Sequence, residues 1–150
     1  MLWLADEQAT LDFAARLAAL LPASAFCIHL TGDLGAGKTT FVRGLLHALG
    51  HTGNVKSPTY ALVEHYTIAQ RQIYHFDLYR LSDPEELLYL GIEEYFSANN
   101  LTLIEWPEQG KGVLPEPDLL VALQYQPAGR HVNLTAYSDT AGQICEKLHN

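Results

Sequence analysis

The sequence predicts an α/β fold: a three-layer sandwich on a mixed sheet, its parallel core extended by antiparallel hairpins. Three observations carry this. A glycine-rich turn, Gly32-Asp33-Leu34-Gly35-Ala36-Gly37-Lys38-Thr39, stands between an apolar run and a helical one. A second run, Leu101-Thr102-Leu103-Ile104, has the near-continuous hydrophobic character of a parallel strand buried on both faces. Two pairs of β-rich segments, each split by a short turn, read as hairpins. Strands and helices mixed in this way call for helices packed on a sheet. At 150 residues, 48% of them hydrophobic, the chain suits one domain over 1–150 with a real core.

In chain order, Asp6 is placed to cap an opening helix, with Glu7 in the turn where the helix dipole favours negative charge. Leu11, Ala14, Ala18 and Leu21 recur along one face, and Pro22 ends the helix. Residues 25–30 form a buried strand running into the glycine turn, and 38–49 a helix stopped by Gly50. Residues 51–58 carry glycine, asparagine and proline without periodicity and read as a loop. The first hairpin covers 60–68 and 73–78, turned through 69–72. Ser82 and Glu85 have capping-box spacing for a short helix that ends at Gly91, and a further helical turn spans 92–96. The strand over 101–104 leads to Glu105-Trp106-Pro107-Glu108, where Pro107 argues against a helix. Residues 110–117 are a loop, and a second hairpin joins 118–125 to 131–137 through Pro127-Ala128-Gly129. Ser138 caps a closing helix that buries Ala141, Ile144, Cys145 and Leu148.

Charge and composition narrow the function. A formal net charge of −8 disfavours unaided binding to a polyanion, because nonspecific nucleic-acid affinity comes from Lys and Arg neutralising phosphates. Any nucleic acid is then expected to be reached through a partner. Neither an apolar stretch of about 18 residues nor a basic-then-apolar leader is found, so the expected location is the cytoplasm, away from membranes. Cys27 and Cys145 lack metal-ligand or disulfide-framework spacing and read as packing residues.

The glycine turn matches G-x-x-x-x-G-K-[ST], the phosphate-binding P-loop. Its glycines let the backbone curl around an anion, its lysine reaches the β/γ oxygens, its hydroxyl holds Mg²⁺, and the following helix aims its positive end at the charge. Asp33, Leu34, Gly35, Ala36, Gly37, Lys38, Thr39 and Thr40 are thus the expected nucleotide-binding stretch. Mg²⁺ held by Thr39 also needs a carboxylate from a neighbouring strand end. Glu105 closes an apolar strand and Asp77 closes a less apolar one; one can bind the metal and the other orient water, in either order. For Asp77 the alternative is a cap or a partner of Arg80. His29, His65, His75 and His131 lie among apolar neighbours in predicted strands and read as sheet histidines satisfied by local bonds.

The ordered set of the 32–40 loop, Ser57-Pro58-Thr59-Tyr60, His75-Phe76-Asp77-Leu78-Tyr79-Arg80-Leu81, Ile104-Glu105-Trp106-Pro107-Glu108 and Leu114-Pro115 resembles the TsaE family of small bacterial ATPases. The likeness spans nearly the whole chain. It implies a role supporting threonylcarbamoyladenosine synthesis at position 37 of tRNA, with ATP or ADP and Mg²⁺ as cofactors, partners of the TsaD and TsaB type, and tRNA engaged only through the complex. It further implies catalytic roles for Lys38, Asp77 and Glu105, a nucleotide-sensing loop carrying Ser57 and Thr59, and Trp106 beside the nucleotide. Arg80 is expected to support the hairpin. Glu64-His65 depart from the Asn-Glu pair expected there, a surface detail.

Two rival functions fit the loop alone: a small-molecule kinase, and a nucleotide-sensing module with negligible turnover. The kinase reading needs several arginines around the transferring phosphoryl group, and Arg16, Arg43, Arg71, Arg80 and Arg130 are scattered in sequence. ATP is expected over GTP because an N-K-x-D guanine reader is missing.

Overall fold

The structure, a computed structural model, describes residues 2–58 and 61–149. The apolar run that enters the glycine turn forms β2 (Phe26–Thr31), and Leu101–Glu105 forms β5 beside it in parallel register. The flanking strands are β4 (Arg71–Asp77), parallel to β5, and β6 (Leu119–Gln126), parallel to β2. β3 (Val63–Ile68) pairs antiparallel with β4, and β7 (Gly129–Ala136) with β6. A short strand at the start of the chain, β1 (Leu2–Leu4), completes the far edge against β7. Among the described residues the sheet has seven strands in the order β1-β7-β6-β2-β5-β4-β3, a parallel centre with antiparallel margins.

Strand alternation splits the core in two. Phe26, Ile28 and Leu30 of β2, with Ile73, Leu101 and Leu103, face α1 (Glu7–Leu20), α2 (Lys38–Leu49) and α4 (Asp139–Leu148). Phe76, Ile104 and Cys27 face a thinner layer: the single turn α3 (Glu86–Tyr89), the 3-10 turn Ile92–Phe96, and the loop carrying Val113 and Leu114. The sandwich therefore has three layers, one of them thin.

The caps of α1 and α4 follow the sequence reading: Asp6 Oδ1 accepts from the Ala9 amide at 2.8 Å, and Ser138 Oγ from that of Ala141 at 3.3 Å. Four details differ. The buried stripe of α1 is Thr10, Phe13, Ala14, Leu17 and Ala18, with Leu11 and Leu21 only partly buried; Leu11 and Ala14 lie against Gly44 of α2, and Phe13 packs on Phe41. The first hairpin turns on Ala69 and Gln70 alone, both at positive φ (51° and 70°), so Arg71 and Gln72 belong to β4. Such two-residue turns match strand twist, but no glycine signals this one. At α3, Asp83 and Glu86 do the capping: Glu86 Oε2 accepts from the Ser82 and Asp83 amides, and Asp83 Oδ1 from that of Glu85. Cys145 is only half-buried, and β1 goes unannounced in the sequence because three residues carry no usable period.

Candidate functional site

The glycine turn leaves β2 where little but glycine fits. Gly32 has φ 145°, and a Cβ there would stand 2.4 Å from the Leu123 carbonyl oxygen on β6. Gly37, at φ 104°, would place a Cβ 2.9 Å from Arg130 Nε. It is also the N-cap of α2 and offers no side-chain hydrogen bond, so the first-turn amides and the positive helix end serve the cleft that Thr39 and Thr40 line.

Lys38 opens α2 and is buried. Its ammonium donates to the Gly32 carbonyl and, at 3.5 Å, to that of Asp33, and it stands 3.8 Å from the centroid of the Trp106 ring. Burial lowers its pKa, while the nearby charges of Glu105, Glu108, Asp77 and Asp33 pull the other way. The amine is thus a desolvated cation faced by several acids, able to gain from a buried anion.

The acids arrive from neighbouring strand ends. In the parallel ladder Asp77 on β4 is level with Glu105 on β5, which is level with Leu30 on β2 just before the loop. Both carboxylates are buried. Asp77 Oδ2 accepts from Ser57 Oγ at 2.8 Å and Oδ1 from the Tyr79 amide at 3.0 Å, so Asp77 also serves as the cap that was its alternative reading. Glu105 Oε2 lies 2.5 Å from His75 Nε2. Trp106 takes a left-handed φ of 58° and donates its amide to Leu30 O at 3.3 Å, which turns its ring back over Lys38 and against Tyr79, with centroids 5.0 Å apart.

These groups surround a cleft of about 600 Å³. Its wall comprises Leu34, Gly35, Gly37, Lys38, Thr39, Thr40, Ser57, Asp77, Glu105 and Trp106, joined by Tyr79, Arg80 and Arg130. Of the expected nucleotide-binding stretch, Asp33 and Ala36 do not line the cleft: their carbonyls accept from Lys38 and Arg130, the Asp33 carboxylate acts on Lys38 through its charge, and the Ala36 methyl packs in the core. Thr59 lies outside the described residues. The donor set suits the implied group. One threonine hydroxyl and two carboxylates are hard oxygen ligands of the kind Mg²⁺ takes, usually one or two from protein with phosphates supplying others. No cluster of three or more His, Cys, Asp or Glu that could hold a metal without such phosphates occurs among the described residues.

Three features escaped the sequence reading. Arg130 donates from Nε to the Ala36 carbonyl at 2.8 Å, from 94 positions away, and only the β6–β7 hairpin brings it there. Arg80 and Arg130, scattered in the chain, border one cleft. His75 bonds to a carboxylate of the site and is more than a locally satisfied sheet histidine; the sequence signal for it is its place two residues before Asp77. His29 also differs from that reading: its Nε2 is buried without a hydrogen-bond partner among the described residues, and burial pushes its pKa down to about 4.

Comparison with known proteins places these residues in context. Residues 4–132 match the family model described as threonylcarbamoyl adenosine biosynthesis protein TsaE. The chain is 48% identical over 152 residues to the tRNA threonylcarbamoyladenosine biosynthesis protein TsaE of Haemophilus influenzae, covering 99% of this chain and 96% of that one. It is 36% identical over 137 residues to the protein of the same name from Bacillus subtilis, covering 89% and 84%. The crystal structure of Bacillus subtilis YdiB superposes with a TM-score of 0.79 at 30% identity, over 96% of this chain and 89% of that one.

Proposed function

The chain belongs to the TsaE family of threonylcarbamoyladenosine biosynthesis proteins, and from that premise we propose that it binds ATP with Mg²⁺ in this cleft and hydrolyses it to drive turnover of a tRNA-modifying complex. The observation that carries this reading is the convergence of Lys38, Thr39, Asp77 and Glu105 beside a glycine loop, at the ends of three adjacent parallel strands.

Thr39 with Asp77 or Glu105 would hold Mg²⁺, which when bound would supply positive charge to offset the charge that develops on the phosphates. The protein groups have separate roles. The α2 amides and Lys38 fix the phosphates by charge-assisted hydrogen bonds. Thr39 supplies the metal-binding hydroxyl, and of Asp77 and Glu105 one holds the metal and one orients the attacking water. Trp106 and Tyr79 give an aromatic wall beside Lys38. Ser57, bonded to Asp77, ties the 51–58 loop to the site, so the phosphate state can reach a surface segment and alter partner affinity. The partners are proteins of the TsaD and TsaB type, acting in the cytoplasm.

The assay is phosphate release with and without those partners: stimulation by them supports the reading. Transfer to an added metabolite favours the kinase alternative, for which the pairing of Arg80 and Arg130 at the cleft is the one favourable observation. Release unchanged by both leaves a nucleotide sensor.

A further inference from the structure

We propose that His75 is a positioning residue for Glu105, holding one carboxylate oxygen from inside the core so that the other is presented to the cleft. The inference rests on the proposed hydrolysis and deepens it. His75 opposes Leu103 in the β4–β5 ladder, which makes Glu105 its diagonal neighbour on the same sheet face. Its ring is fully buried, does not border the cleft, and places Nε2 2.5 Å from Glu105 Oε2. A carboxylate oxygen accepts, so the bond needs the hydrogen on Nε2. That leaves Nδ1 buried and without a hydrogen-bond partner among the described residues.

A merely structural role explains this badly. On that face His75 lies between Ile73 and Asp77 along β4, opposite Leu103 on β5 and Glu64 on β3; packing against Ile73 and Leu103 alone would favour an apolar side chain, which would spare the orphaned ring nitrogen but leave the buried Glu105 Oε2 without its donor. The fold instead retains a ring with one orphaned nitrogen, and its other nitrogen goes to a carboxylate at the cleft. The terminal torsion of a glutamate is soft, so an unheld carboxylate would swivel. A bond to Oε2 fixes that torsion before substrate arrives, which is the preorganisation that orienting a water or holding a metal requires.

The test compares wild type, Glu105→Gln, His75→Gln, His75→Asn and His75→Phe by partner-stimulated ATP hydrolysis and by equilibrium binding of a fluorescent ADP analogue. Glutamine puts an amide donor near the Nε2 position; asparagine is too short to reach Oε2, and phenylalanine has no donor. The expected result is a kcat lowered about 10- to 100-fold in the Asn and Phe variants, as for other groups that orient a site's ligands, with KM and ADP affinity within about twofold of wild type. His75→Gln should recover kcat to within about fivefold. If His75→Phe does not fold, the Gln and Asn pair decides. Equal kcat in those two, or a loss carried by KM alone, overturns the role. Hydrolysis that Glu105→Gln abolishes and the His75 variants leave intact overturns this inference while sparing the proposed function. Wild type without hydrolysis overturns both.

Discussion

At the scale of single residues, the cleft depends on groups whose burial makes sense only with charged neighbours. Lys38 is desolvated against Trp106 and faced by acids, and the proposed function gives its charge to a bound phosphate. Lys38→Ala should keep the far-UV circular dichroism of wild type yet weaken ATP-analogue binding at least about tenfold, as loss of a charge-assisted bond implies, in a fluorescence titration. Thr39→Ala should chiefly blunt the Mg²⁺ dependence. Glu105→Gln should retain nucleotide affinity and lose roughly 100-fold or more in kcat, since an amide neither neutralises a metal nor polarises water. Asp77→Asn separates the acids: if turnover survives, Asp77 acts as the cap of its strand end and holder of Ser57. His29 sets a pH dependence. Its pKa falls from the usual 6.5 to about 4 on folding, so the unfolded chain binds the extra proton between those values. The stabilisation from keeping the ring neutral is complete above pH 6.5 and is lost as pH falls toward 4, up to about 3 kcal/mol. Urea midpoints measured from pH 7.5 to 4.5 should drop less steeply for His29→Leu than for wild type.

At the scale of elements, the loop from β2 into α2 is built on backbone that side chains would block. Gly37→Ala forces a Cβ into a left-handed position and against Arg130, so a loss of about 1–3 kcal/mol is expected in chemical denaturation, together with weakened nucleotide binding. If the substitution is neutral in both assays, the loop does not need this geometry. The parallel ladders of β2, β5 and β4 contribute alignment. Their register sets Asp77 level with Glu105, and a slip of one residue between β4 and β5 would put the two acids on opposite faces of the sheet. The caps at Asp6 and Ser138 were legible because capping is local, whereas the Asp83–Glu86 cap of α3 sits one residue beyond the expected pair, a choice that neither spacing nor composition makes.

At the scale of the whole molecule, net charge bears on the proposed dependence on a partner. With a formal charge of −8, the free chain should bind tRNA no more tightly than about 10⁻⁴ M at physiological salt, the weak end of nonspecific affinity. Filter binding or fluorescence anisotropy checks this, and tight binding by the lone chain would contradict the dependence on a partner. The Ser57–Asp77 bond connects the 51–58 loop to the acids, so partner affinity should differ between protein loaded with a non-hydrolysable ATP analogue and with ADP. Equal affinities in a titration would leave that loop a static wall of the cleft.

The sequence by itself determined the glycine loop, the helix after it, the two central apolar strands and the acids that end β4 and β5. Each rests on neighbours in the chain: glycine where the backbone must turn, an unbroken apolar run where both sheet faces are covered, a carboxylate directly after a strand. Tertiary structure decided the rest. Arg130 meets the loop only because β7 returns beside β6, and His75 meets Glu105 only because β4 and β5 lie in one particular register. The buried face of α1 keeps the expected Ala14 and Ala18 and widens to Thr10, Phe13 and Leu17, because the helix is covered by both α2 and the sheet. Contacts between strands distant in sequence are selected by packing the whole core at once, and no short window of residues carries that information.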